Sequence, residues 1–220
     1  MNKLLIRIMV LILGIGAIFF TTRDLYASIG NVIIQEGESL IERKIGEDVA
    51  SEVDLDIFSY DTIRTAKSKT AIEFIDTTRV DVTEHSKLVI DEFVYDPNKK
   101  TGKLSLKASL GTVRYASGQI AKNNPTSIKI TTPTATIGVR GTDFSMTVDE
   151  LGSSTIILLP SCDTNGNCYV GEISVESDAG QVILSQAFQA TVVDTVSSTP
   201  MKPVILLSLI HISEPTRPSS

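Results

Sequence analysis

An all-β domain is the expectation from this sequence, and three features carry it. Apolar residues alternate with polar ones at a period of two, not at helical spacing. Val, Ile and Thr dominate these runs, which suits a pleated, half-buried surface. Turn residues interrupt them often: Gly102, Gly111, Gly118, Gly138, Gly141, Gly152, Gly171 and Gly180 fall between or beside the runs. Short, closely spaced strands predict a single domain arranged as a β-solenoid-like roll, with a β-sandwich as the alternative. No fixed repeat period marks a solenoid.

Composition agrees. The chain has 220 residues, 42% hydrophobic and 21% charged, with no Trp. That is enough apolar material to repay the entropy of ordering, so the chain is globular. It has 20 Lys+Arg against 26 Asp+Glu. An acidic chain without basic stripes is not expected to bind nucleic acid, which needs clustered cations for phosphates.

Residues 1–27 read as a secretory signal peptide, entered as a helix and removed after Ala27, or retained as an N-terminal anchor. Lys3 and Arg7 form a positive start, Ile8 to Phe20 is an uncharged apolar run, and Leu25-Tyr26-Ala27 offers a cleavage point. The run is short for a membrane span, which needs about 20 apolar residues. No second apolar run follows, so membrane contact is expected only through this segment.

From Ile29 onward the strand pattern begins. Val80 and Val82 flank Asp81. Leu104, Leu106, Ala108 and Leu110 alternate with Ser105, Lys107 and Ser109. Ile128 and Ile130 flank Lys129, and Phe144, Met146 and Val148 alternate with Ser145 and Thr147. Ile173 and Val175 flank Ser174. Each run has one core face and one wet face. Asp96-Pro97-Asn98 and Asn123-Asn124-Pro125 are turn strings. Residues 43–53 and 185–190 are the candidate short helices. The domain is expected to span 28–196, with a linker at 197–206 around Pro200 and Pro203. Residues 207–217, Leu-Ser-Leu-Ile-His-Ile-Ser-Glu-Pro-Thr-Arg, resemble the in-frame translation of a common transposon-derived sequencing adapter. On that reading 207–220 is an artefact or disordered tail and the natural end of the chain is missing. The other reading is a natural flexible tail. Setting both ends aside leaves 16 basic and 24 acidic residues, a net of −8, and one histidine, His85.

Cys162 and Cys168 bracket Asp163-Thr164-Asn165-Gly166-Asn167, a turn-rich string between two strand-like flanks. A disulfide closing this hairpin tip fits an exported protein in an oxidising space. Free thiols are the alternative. A closed zinc site needs four ligands, and no further Cys or His lies nearby. Asp163, Asn165 and Asn167 form a calcium candidate, since calcium takes carboxylate and amide oxygens from alternating loop positions. The spacing departs from an EF-hand, with Gly166 fourth and Ser174 twelfth, and a simple Asn-Gly hairpin turn is the expected reading of the string.

No catalytic residue is expected. His85 sits among polar neighbours at a turn, where a lone histidine is usually solvated. His-Glu-x-x-His, a phosphate-cradling Gly-x-x-x-x-Gly-Lys and Gly-x-Ser-x-Gly are all missing. Carboxylates such as Asp54, Asp56, Asp91 and Glu92 are plentiful, and a facing pair could run glycoside hydrolysis. No cofactor is expected.

The string Ile130-Thr131-Thr132-Pro133-Thr134-Ala135-Thr136-Ile137-Gly138-Val139-Arg140-Gly141-Thr142-Asp143-Phe144 resembles the signature of the FecR-like domain family, which includes the periplasmic iron-dicitrate sensor domain. Upstream, Asp61-Thr62-Ile63-Arg64-Thr65 resembles the family's Asp-x-Ile-x-Thr segment, and Ala71 to Asp76 resembles its strand ending in Asp. Gly111-Thr112-Val113-Arg114 and Ser117-Gly118 resemble the strand pair before the signature. The resemblance spans roughly Ile29 to Val193. Many members have Asp-Gly where this chain has Asp76-Thr77, which implies a wider turn here. The iron sensors carry an anti-sigma segment and a membrane helix before the domain. This chain has only the signal-like segment, so a complete transmembrane iron regulator is not expected.

The signature also reads physically. Pro133 ends a strand because it lacks an N–H for the ladder. Ile137 and Val139 point inward, and Gly138 and Gly141 permit positive φ or close backbone approach. Arg140 lies on the opposite face, where its fork could hold Asp143, Asp76 or backbone carbonyls, or contact a partner. Thr132, Pro133, Gly138, Arg140, Gly141, Thr142, Asp143 and Phe144 are therefore the candidate structural or partner-contact residues. The resemblance implies a non-enzymatic, periplasmic or secreted interaction or signalling module of a Gram-negative envelope, with a protein partner. A secreted carbohydrate-active protein using paired carboxylates, or a fragment of a larger surface protein, are the rival expectations.

Overall fold

The structure, a computed structural model, describes residues 27–124, 126–163 and 165–206. Apart from Ala27, the expected signal segment and the adapter-like tail lie outside the described residues. Nineteen strands and one short helix follow in order: β1 Gly30–Glu36, β2 Ser39–Glu42, β3 Val49–Ala50, β4 Asp56–Ile57, β5 Thr62–Thr65, β6 Lys69–Phe74, β7 Arg79–Val82, β8 Lys87–Asp96, β9 Thr101–Ala116, α1 Gln119–Asn123, β10 Ile128–Thr131, β11 Thr136–Arg140, β12 Asp143–Val148, β13 Ser154–Leu159, β14 Ser161–Cys162, β15 Cys168–Tyr169, β16 Glu172–Ser177, β17 Gly180–Leu184, β18 Gln189–Val193 and β19 Val204–Ile205. The protein is all-β, as expected.

Seventeen of these strands join into one hydrogen-bonded network that β9 folds double. One layer runs β4-β1-β6-β7-β9-β12-β13-β18-β19 and the other β3-β2-β5-β8-β9-β10-β11-β16-β17. The chain advances by hairpins that alternate between layers, the stepping of a roll, while the layers share one core as in a sandwich. Phe74 of the first layer stacks on Phe93 of the second at 5.2 Å. Ile41, Ile72, Leu88, Leu106, Ile137, Ile156 and Val175 are fully buried in that common core. Burying each such side chain contributes about 1.5–3 kcal/mol.

The bend in β9 makes the two-layer arrangement possible. Its first part pairs with β8 and β10 and its last part with β7 and β12. Leu104, Leu106 and Ala108 point inward as expected, but Leu110 is 36% exposed, and Val113 and Tyr115 take over the core face. The register with β8 slips beside Ala108, where Leu88 pairs with Ala108 and Lys87 with Leu110. Gly111 then adopts φ +82, and a Cβ there would lie 2.1 Å from Ser86 Oγ. Both layers face one core, so a strand passing between them must exchange its inward parity.

The pairing of β9 with β10 is parallel, the one parallel pair among the described strands. A parallel pair needs a crossover, and α1 supplies it. This helix lies at Gln119–Asn123, not in 43–53 or 185–190. Those two segments hold turns and the starts of strands: β3 lies in the first, and β18 begins at Gln189 in the second. Residues 197–206, expected as a linker, lie against the domain. Met201 N–H donates to Val192 O at 2.9 Å, and β19 pairs with β18.

Candidate functional site

Two buried carboxylates hold the crossover beneath the signature. Asp76 is fully buried. Its carboxylate accepts from Thr78 N at 3.1 Å, Thr78 Oγ1 at 2.8 Å and Ile120 N at 3.1 Å. The last bond caps α1 from the distant β6–β7 turn, since Gly118 at the N-cap has no side chain to do so. Asp76 O also accepts from Gln119 N at 2.8 Å. On the other side, Asp143 accepts from Ser117 N at 3.2 Å and Ser161 Oγ at 2.6 Å, with Arg114 Nη2 at 3.8 Å. Between them Tyr115 is fully buried, its ring 5.3 Å from that of Phe144. Burial pushes its hydroxyl well above the usual tyrosine range.

The turn after Asp76 stays tight where a wider one was expected. Thr77 N donates to Phe74 O and Phe74 N to Thr78 O, both at 2.8 Å. Thr77 takes φ 67, the conformation glycine would adopt without cost. The hydrogen bonds that Asp76 makes around the corner fix the turn, so the threonine is carried into it.

The rest of the signature is likewise spent on local structure. Thr132 Oγ1 accepts from Ala135 N at 3.0 Å and from Ser154 Oγ at 2.8 Å, and Thr134 Oγ1 lies 2.7 Å from Ser154 Oγ. This hydroxyl knot fastens the Pro133 turn to the start of β13. Thr142 Oγ1 donates to Leu159 O at 3.1 Å. Gly141 takes φ +60, whereas Gly138 has no positive φ; a Cβ there would lie 2.7 Å from Ser174 Oγ. Arg140 binds neither Asp143 nor Asp76. Its Nη1 donates to Glu172 Oε1 at 2.8 Å, with the Arg140 side chain exposed and that of Glu172 partly so. Strand register explains this, because Arg140 and Glu172 are direct partners across β11 and β16. Asp76 and Asp143 are already occupied by nearer donors.

Asp61, first residue of the upstream motif, is buried and closes the N-terminal end. It pairs with Arg43 and accepts from Phe58 N at 2.9 Å. Arg43 also donates to Asp56 O at 2.9 Å and lies over the Phe58 ring at 4.8 Å. Burial raises the Asp61 carboxyl above its ordinary value, against the lowering effect of Phe58 N–H and Arg43.

Cys162 and Cys168 form the disulfide, across the small β14–β15 hairpin. Inside it Asp163 Oδ1 accepts from Asn165 N and Asn167 N at 2.9 Å, and Oδ2 accepts from Asn167 Nδ2 at 3.1 Å. These bonds, led by the Asn167 side chain, hold the Asp163 carboxyl below its ordinary value. The calcium candidates therefore meet as a self-bonded turn. No group of three or more His, Cys, Asp or Glu is placed for a metal among the described residues.

His85 is exposed at the turn between β7 and β8, at φ 53. Asp91 accepts from Ser105 Oγ at 3.3 Å and Glu92 pairs with Lys103 at 2.6 Å. Two surface grooves carry carboxylates in twos, Glu176 with Asp178 and Glu36 with Glu84. All four are exposed. Another groove, of roughly 510 Å³, is bounded by Leu40, Ala50, Ser51 and Arg64 and has one carboxylate, Glu38.

The C-terminal end offers a different feature. β17 pairs with β16 on one side and has no strand on the other among the described residues. Its sequence, Gly-Gln-Val-Ile-Leu, carries no charge. Ile183 is 42% exposed, and Met201, Val204, Ile205 and Leu206 of the adjoining end are 41–56% exposed. This edge was not among the candidates read from the sequence; the lack of charge across β17 is the signal that marks it, and its place at the edge follows from strand order.

Among the described residues no helix is long and apolar enough to cross a membrane. No curated protein and no solved structure matches the chain. Residues 61–159 match the family model described as FecR protein. That stretch runs from the buried Asp61 through the Asp76 and Asp143 nodes to the end of β13, and the same two layers continue beyond it at both ends. Over residues 61–159 this chain is similar to the FecR family, and its all-β fold is consistent with a FecR-like domain.

Proposed function

We infer that this chain is an exported, non-catalytic interaction and signalling module of the bacterial cell envelope, and that β17 is its working edge. The FecR match supports a signalling or regulatory role in the envelope. The observation that carries the reading is the uncharged free edge of β17 beside exposed apolar residues. An open edge presents unpaired N–H and C=O groups to an incoming strand, and edges not meant for pairing are usually blunted by Lys, Pro or a bulge. The motif side chains support a role without chemistry, because Asp61, Asp76, Thr132, Thr142 and Asp143 are spent on internal hydrogen bonds. The exposed disulfide hairpin agrees with an oxidising compartment.

The test is a photo-crosslinking residue in place of Gln181, in cells producing the full chain. A covalent protein adduct in the periplasmic fraction, lost when Ile183→Lys is added, is the expected result. An exported chain that forms no adduct from this edge, but forms one from the opposite end, overturns it.

A further inference from the structure

We propose that the strand added at β17 is the β17 of a second copy of this chain, joined antiparallel about a two-fold axis through Ile183. The inference rests on β17 being the working edge. It names the occupant from three features of that edge.

The first is self-complementarity. Antiparallel pairing centred on Ile183 sets Ile183 against its own mate, Val182 against Leu184, and Gln181 against Ser185. Gln181 and Ile183 share the outer face, and Val182 and Leu184 turn toward the core, where Leu184 is buried. Like therefore meets like on both faces: the exposed isoleucines cover each other, and the core-facing pair continues the apolar layer. Directly opposed residues have Cβ atoms about 4.5–5.5 Å apart, close enough for the isoleucines to pack.

The second is charge. The domain is acidic, and side-by-side copies would repel. β17 itself has no carboxylate: Glu176 and Glu172 lie one strand behind it on β16, the latter paired with Arg140, and Asp178 on the β16–β17 turn is five positions from the centre. Antiparallel pairing sends the two Asp178 residues to opposite ends of the joint, where each lies near the partner's uncharged Gln186 to Phe188 stretch. A parallel arrangement would bring the two turns together.

The third is the other layer. An axis normal to the layers joins β17 to β17 and brings β19 toward β19. Val204 and Ile205, 56% and 46% exposed, then lose water against their equivalents. One operation accounts for the exposed apolar residues of both layers, and a two-fold joint is the commonest form of self-association.

The test uses the purified full chain. Light scattering across a concentration series is expected to show twice the monomer mass. Ile183→Cys is expected to form a disulfide-linked dimer on mild oxidation, because residue 183 faces itself at the axis, while Val94→Cys at the far β8–β9 tip gives none. Ile183→Lys, at an exposed position, is expected to raise the apparent dissociation constant at least roughly tenfold, with circular dichroism and melting of the monomer unchanged. A monomer at every concentration, together with a Gln181 adduct to a different protein in cells, overturns the second copy and leaves the edge standing. A monomer with no Gln181 adduct removes both. A dimer that survives Ile183→Lys and gives no 183–183 crosslink places the joint elsewhere and overturns the inference.

Discussion

At the N-terminal end of the sandwich the edge strands β3 and β4 contribute two residues each, and the chain between them folds back over the core. Ile41, Ile57 and Ile63 are fully buried there, and Arg43, after β2, pairs with Asp61, before β5, so that two loops are tied together across this end. At the C-terminal end β17 is five residues long, with one edge free among the described residues, and β19 leaves Val204 and Ile205 half in water. The strands are of similar composition, but the closing device differs. One end is sealed by a charged pair between two loops; among the described residues the other ends on strands. Stacked β architectures need capped ends to stay soluble, so the end left open among the described residues is where a partner is expected.

The largest effect should come from breaking the sealed end. Asp61→Ala leaves Arg43 with its charge largely buried and uncompensated, and Phe58 N–H without its acceptor. The expected loss is about 3 kcal/mol, read as a fall in melting temperature and in denaturation midpoint. Ile205→Ser at the open end should change monomer stability by no more than about 0.5 kcal/mol. Equal effects would show that the two ends are closed in the same way.

Next in size is the covalent tie beside the open half. Reducing Cys162–Cys168 removes a small closed loop, worth about 2 kcal/mol at most by chain entropy. Melting with and without reductant measures it, and thiol titration should find two thiols only after reduction. Two free thiols beforehand would contradict the bridge.

Thr77→Gly should raise stability by about 1 kcal/mol, because a β-branched residue pays for the left-handed conformation that glycine adopts freely. A lowered midpoint would mean that the Thr77 side chain, though exposed, holds the corner. The smallest effect belongs to Arg140→Ala. Its pair with Glu172 is solvated, and such pairs contribute about 0.5 kcal/mol or less. A loss of several degrees in melting temperature would restore the structural role that the position between two glycines suggested.

Much of this was legible in the residues. Alternation at Val80–Val82, Ile128–Ile130 and Phe144–Val148 located strands and their inward faces, since side chains project to opposite sides whatever surrounds them. The Cys162–Cys168 spacing across a turn string gave the bridge. The partner of Arg140 was not legible, because cross-strand neighbours follow from register, and Glu172 lies 32 positions away. The α1 crossover was hidden for a similar reason: its cap comes from Asp76, 44 residues before Ile120. Leu110 followed the right period yet faced outward, because the bend at Gly111 changed which face was inside.

The sequence by itself determined the class of structure, the strand positions, the hairpin bridge and the family signature, all properties of local period, composition and short motifs. Only the tertiary structure decided that β9 serves both layers, that Asp76 and Asp143 hold the crossover, and that β17 pairs on one side alone among the described strands. These depend on contacts between segments distant along the chain. A strand's own residues specify that it will pair; the order in which the layers are built decides whether anything remains to pair with it.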